Sequence, residues 1–137
     1  MTDSARRVEY YYVEVPDKPG EGFNALAKLR EAGVNLIAFL AFPVAGGKTQ
    51  MDFVPEDPAK FLTVAKAAGW KLSPKKEALY VSGRDRPGAA GSTLEKLASA
   101  KINAVATMAA GGEGGGYGLV VWVKAKDVPA AATALGV

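Results

Sequence analysis

The chain has no cysteine and no histidine among its 137 residues. Without cysteine there are no disulfides, zinc-thiolate sites or thiol nucleophiles, although the redox compartment stays open. Without histidine the commonest general base and the commonest metal ligand are both missing. Catalysis would fall to Asp, Glu, Lys, Tyr or Ser, and Ser82 and Ser92 have no base beside them by motif. The expectation is therefore a non-enzyme with no cofactor and no metal.

Long apolar runs are missing too. The longest uncharged stretch, Ala32 to Gly47, is interrupted by Asn35 and Pro43 and is too short to span a bilayer. Arg6-Arg7 is followed by Val8-Glu9-Tyr10 and not by an uncharged apolar segment, so Met1 to Arg7 does not read as a signal peptide. A cytoplasmic protein with no membrane association is expected. The 17 Lys and Arg are scattered among 14 acidic residues for a net charge of +3, with no basic run longer than a pair such as Lys75-Lys76. That is not the pattern of a nucleic-acid binder.

What the sequence does contain is a duplication. Asp17-Lys18-Pro19-Gly20 leads on to Ala32-Gly33-Val34-Asn35, and Asp85-Arg86-Pro87-Gly88 leads on to Ala100-Lys101-Ile102-Asn103. The offset is constant, since 85 minus 17 and 103 minus 35 both give 68, and Leu26 and Leu29 fall on Leu94 and Leu97. Units this small bury modest cores, so they are expected to pack together.

Each copy reads as strand, turn, helix, then hairpin. Val8 to Val15 is dense in Tyr and Val, and Leu79 and Val81 match Tyr11 and Val13. At each turn Asp is placed to cap a helix, Pro pre-sets its first dihedral and Gly permits the sharp bend. The helices span about 20–32 and 88–100. Val34 to Phe42 and Thr49 to Val54 form the first hairpin around Gly46-Gly47; Ile102 to Ala109 and Tyr117 to Val123 form the second. The glycine-rich run Gly111 to Gly118 lies between two strands, so it reads as a hairpin tip and not as a phosphate loop. Asp57-Pro58 opens a second helix and Asp127 opens its counterpart.

A short strand, Trp70 to Ser73, closes the first unit, whereas the second lacks most of its last strand. The fold class is α+β, two tandem ferredoxin-like βαββαβ units over residues 8–74 and 77–137. The open edge of the second is expected to be covered by a partner strand or a neighbouring unit.

A first strand, Asp-x-Pro-Gly into the first helix, and then Val34-Asn35 or Ile102-Asn103 entering the second strand resemble the ACT domain. The resemblance covers nearly all of Val8 to Val137, twice in register. It implies a regulatory module that binds an amino acid or similar small molecule where two such domains lie side by side. It also implies ligand-binding roles for Asp17, Pro19, Gly20 and Asn35, and for Asp85, Pro87, Gly88 and Asn103. A homodimer and a regulated enzyme are the partners it suggests.

The chemistry of those residues agrees. Helix N-termini offer free N–H groups to a carboxylate, while an Asp carboxylate and an Asn oxygen suit an ammonium group. The plainer alternative is that both Asp residues cap helices and both Asn residues bond local backbone. Serine-binding members carry His two positions before the loop Asp; here those positions are Val15 and Gly83, which speaks against serine. The copies also differ, with Phe23 against Gly91 and Phe39 against Thr107. A second reading is an interaction subunit for a catalytic partner, such as an amino-acid biosynthetic enzyme, with no ligand site of its own and with Tyr10, Tyr12, Tyr80 and Trp122 as contact residues.

Overall fold

Alternation and helical spacing fold as expected in a computed structural model that describes residues 3–137. The order is β1 (Ser4–Pro16), α1 (Glu21–Glu31), β2 (Leu36–Val44), β3 (Lys48–Pro55), α2 (Pro58–Ala67), β4 (Lys76–Arg84), α3 (Ala89–Ser99), β5 (Ala104–Gly111), β6 (Gly116–Val123) and α4 (Val128–Ala134). Two compact units emerge, Glu9–Lys76 and a second made of residues up to Val8 together with Glu77–Val137.

In the unit Glu9–Lys76 the strands lie in the order β2-β3-β1, with β3 antiparallel to both neighbours. Phe53 of β3 is fully buried, with Phe61 at 5.3 Å, Phe39 at 5.5 Å and Trp70 stacked at 5.6 Å between ring centroids. Tyr11, Leu29, Met51 and Ala65 complete this aromatic core. Each ring contact of that kind adds about 0.5–1.5 kcal/mol beyond area burial.

The second unit repeats the plan as β5-β6-β4, with Ser4–Val8 of β1 on the other side of β4. Its core is aliphatic: Leu79, Val81, Leu97, Leu119, Val121 and Val128 pack under α3 and α4. The duplication reaches the backbone irregularities. The β2–β3 register shifts between Leu36 and Ala38, and the β5–β6 register shifts between Ala104 and Ala106.

Two expectations need correction. Trp70 to Ser73 forms no strand. Ser73 donates its N–H to the Tyr12 carbonyl at 2.9 Å and its hydroxyl oxygen accepts the Tyr12 N–H at 3.0 Å. Pro74 follows and has no N–H to continue a ladder. The fourth-strand position beside β4 is taken by the start of β1, which begins at Ser4 and not at Val8, so that edge is covered from within the chain.

Candidate functional site

The tetrapeptides Lys18-Pro19-Gly20-Glu21 and Arg86-Pro87-Gly88-Ala89 are turns in which Gly20 (φ 92°, ψ −16°) and Gly88 (φ 81°, ψ 7°) are left-handed. Glu21 donates back to the Lys18 carbonyl at 3.4 Å and Ala89 to that of Arg86 at 3.2 Å. Pro before a left-handed Gly is the side-chain requirement of a type II turn, which explains the motif more fully than helix capping.

Asp17 and Asp85 do not cap the helices that follow them. Neither α1 nor α3 has a side-chain cap. The turn carries each Asp away from the helix amides. Asp17 Oδ1 instead accepts the Thr49 hydroxyl at 2.9 Å, and Asp85 Oδ1 accepts the Arg86 N–H at 3.0 Å. The amides at the second and third positions of each helix, Gly22 and Phe23 in α1 and Ala90 and Gly91 in α3, therefore have no intrahelical acceptor.

In the second unit Ala90 and Gly91 line a cavity of about 270 Å³. Its loop wall is Asp85, Arg86 and Gly88; its helix wall is Ala89, Ala90 and Gly91. Ala109, Ala110 and Gly111 of β5, with Tyr117 of β6, close the far side. The volume suits a small ligand, since pockets for larger organic molecules start near about 300 Å³. Asp85, Arg86, Tyr117 and the first residues of α3 thus line a space together with the Ala and Gly of β5.

The cation is held from outside the loop. Arg86 Nη1 and Nη2 donate to Asp3 Oδ1 and Oδ2, each at 3.1 Å, and the Tyr117 hydroxyl donates to Asp3 Oδ2 at 2.8 Å. Arg86 Nη1 also donates to the Arg84 carbonyl at 2.8 Å. The hydrogen bond from Arg86, then that from Tyr117, holds the Asp3 carboxyl below the usual carboxylate range. Burial, then Asp3, pushes the Tyr117 phenol up.

The sequence-derived residues divide accordingly. Asp85, Pro87 and Gly88 stand together at the second loop, and Asp85 and Gly88 line the cavity. Asn103 is exposed beyond the far end of α3, about 16 Å along the helix, so one small ligand in a single unit does not meet both Asp85 and Asn103. Asp17, Pro19 and Gly20 are exposed at the first loop, and Asn35 is likewise at the other end of α1. There Asn35 Nδ2 donates to Glu56 Oε2 at 3.1 Å, beside a groove of about 420 Å³ lined by Leu26, Leu29, Arg30 and Leu36.

Sequence reasoning missed Asp3, Arg86 and Tyr117. The one signal was Gly83 inside β4. A Cβ at that position would run into the Asp3 side chain, so the glycine records a close approach. Among the described residues no group of three or more acidic, His or Cys side chains is placed to hold a metal ion, and no helix is long and apolar enough to cross a membrane.

No family model matches the sequence, and no curated protein does. Solved structures do match. A protein from Bacteroides thetaiotaomicron superposes with a TM-score of 0.80 at 16% identity, covering 96% of this chain and 88% of that one. The ligand-free regulatory subunit of aspartate kinase from Thermus thermophilus gives a TM-score of 0.65 at 20% identity, covering 97% and 93%. A structure of aspartokinase alpha and beta subunits gives 0.64 at 19%, covering 98% and 95%. The fold of two ferredoxin-like units in tandem is thus shared with solved structures that include the regulatory subunit of aspartate kinase from Thermus thermophilus.

Proposed function

We propose that this protein is a non-catalytic regulatory module that binds a small amino acid at the loop between β4 and α3. The observation that carries this reading is the cavity itself. Asp85 offers a carboxylate to an ammonium group, the Ala90 and Gly91 amides offer donors to a carboxylate, and the Ala and Gly lining leaves room for a short side chain. The fold shared with regulatory subunits of aspartate kinase supports a sensing role for a partner enzyme over a catalytic one.

The same reading includes a cytoplasmic homodimer. β5 is a sheet-edge strand, and Val105 (58% exposed) and Met108 (36%) lie on it, an edge of the kind that pairs with another chain. Binding is transmitted by changing how protomers associate. Isothermal titration with each of the twenty amino acids, followed by sedimentation with and without the one that binds, tests both parts. Heat from none of them overturns the sensor. Tight binding with unchanged dimer affinity overturns the transmission alone.

A further inference from the structure

Asp3 stands outside the motif that defines the loop, yet it touches two of the side chains that line the cavity. Its carboxylate takes both terminal nitrogens of Arg86 and the hydroxyl of Tyr117. The Asp3 side chain is only 13% exposed, against 39% for Arg86, so the pair is shielded on the acid's side. Bidentate guanidinium–carboxylate geometry fixes direction as well as distance.

We infer that Asp3 is the positioning residue that sets the charge selectivity of this cavity. Arg86 is the cation of the cavity lining; Asp3 accepts from both of its terminal nitrogens and neutralises its charge, while the Arg84 carbonyl accepts a second bond from Nη1. The charge then left to a ligand is that of Asp85, with only neutral amides to receive an anion. Such a cavity accepts a molecule bearing an ammonium group, with or without a carboxylate, and disfavours a plain anion. Releasing Arg86 relaxes that preference and gives an anion a cation to meet. The inference rests on the second loop being the ligand site, as proposed above, but it is tested without that ligand.

The test uses the full chain, labelled with ¹⁵N, and inorganic phosphate as the anion probe. Asp3→Asn keeps the shape and removes the charge. Its amide signals over residues 88–91 should respond to phosphate with at least tenfold higher apparent affinity than those of the unaltered chain. Asp3→Glu should stay near the unaltered chain, and Asp3→Asn combined with Arg86→Gln should lose the gain. A merely structural role for Asp3 predicts no dependence on Arg86. Should Asp3→Asn fail to fold, Tyr117→Phe removes one of the bonds to Asp3 and should show a smaller gain that Arg86→Gln likewise cancels. Equal phosphate responses in the unaltered chain and the variants, or a gain that survives Arg86→Gln, overturn the inference. Absence of amino-acid binding with the phosphate gain intact overturns only the proposed function.

Discussion

Two loops of nearly the same sequence end in different surroundings. The first continues into Glu21, Gly22 and Phe23 and lies at the same offset from Phe42 and Pro43; the second continues into Ala89, Ala90 and Gly91, opposite Ala110 and Gly111. Where the second loop presents small side chains and helix-start amides, the first presents a carboxylate at the first helical position and a phenyl ring that is 66% exposed. A negative charge there repels a ligand carboxylate from the positive end of α1. The turn is shared by both copies, but the side chains around it differ, and those of the second copy line a cavity.

The cores separate the same way, and the largest effect should come from that difference. Phe53→Ala removes the hub of the aromatic core and should cost about 3–5 kcal/mol. The equivalent residue in the other copy is Val121, and Val121→Ala loses about two carbons' worth of transfer, roughly 1.6 kcal/mol. Urea denaturation of the two variants measures the gap. Equal losses would break the distinction between an aromatic and an aliphatic unit.

Next in size is a substitution that makes the second loop like the first. Gly91 is exposed, and a Cβ there meets nothing within 4 Å, so Gly91→Phe should leave stability near that of the unaltered chain. It should remove the ligand's stabilisation, about 2.7 kcal/mol at a hundred times the dissociation constant. Thermal unfolding with and without the bound amino acid reads both numbers.

Two acids, one in each unit, should respond to pH with opposite signs. Asp3, beside Arg86, Tyr117 and the more distant Lys96, has its pKa lowered, so its stabilisation is complete above the unfolded value near 3.8 and is lost as pH falls through the lower folded value. Asp52 is 6% exposed, and burial raises its pKa against the opposing Gln50 bond and Lys76 charge. Its ionised form therefore weakens the fold above that raised value, and the penalty lifts as pH falls through it toward 3.8. Asp52→Asn should gain stability at neutral pH relative to acid, and Asp3→Asn should lose it. Denaturation midpoints from pH 3 to 7 check the two slopes.

The smallest expected effect concerns the helix ends. Gly33 (φ 71°) ends α1 without strain, whereas Lys101 (φ 59°), at the same offset beyond α3, holds a left-handed conformation with a Cβ. Lys101→Gly should stabilise by about 0.5 kcal/mol, the relief of left-handed strain less the added freedom of the unfolded chain. A urea midpoint that moves downward would contradict it.

How much of this was legible beforehand follows from range in sequence. The turn, helix and hairpin of each copy are set by residues within about a dozen positions, and Pro19, Gly20, Pro87 and Gly88 announce them. The roles of Asp17 and Asp85 were not legible. A cap and a type II turn use the same residue types, and only backbone dihedrals tell them apart. The covering of the β4 edge by Ser4–Val8 and the bonds from Arg86 to Asp3 join residues about 80 positions apart, for which one sequence carries no pairing signal. Gly83 alone hinted at it. The copies' differences at Phe23 and Gly91 were visible, but their meaning required the wall that β5 supplies.

The measurement that bears most directly on the account is thermal unfolding against the twenty amino acids, made in parallel on the unaltered chain, Asp17→Ala and Asp85→Ala. A rise of about 5–10 °C with one small amino acid, lost in Asp85→Ala and kept in Asp17→Ala, is the predicted result. A rise lost in Asp17→Ala and kept in Asp85→Ala, or no rise with any amino acid, would contradict it.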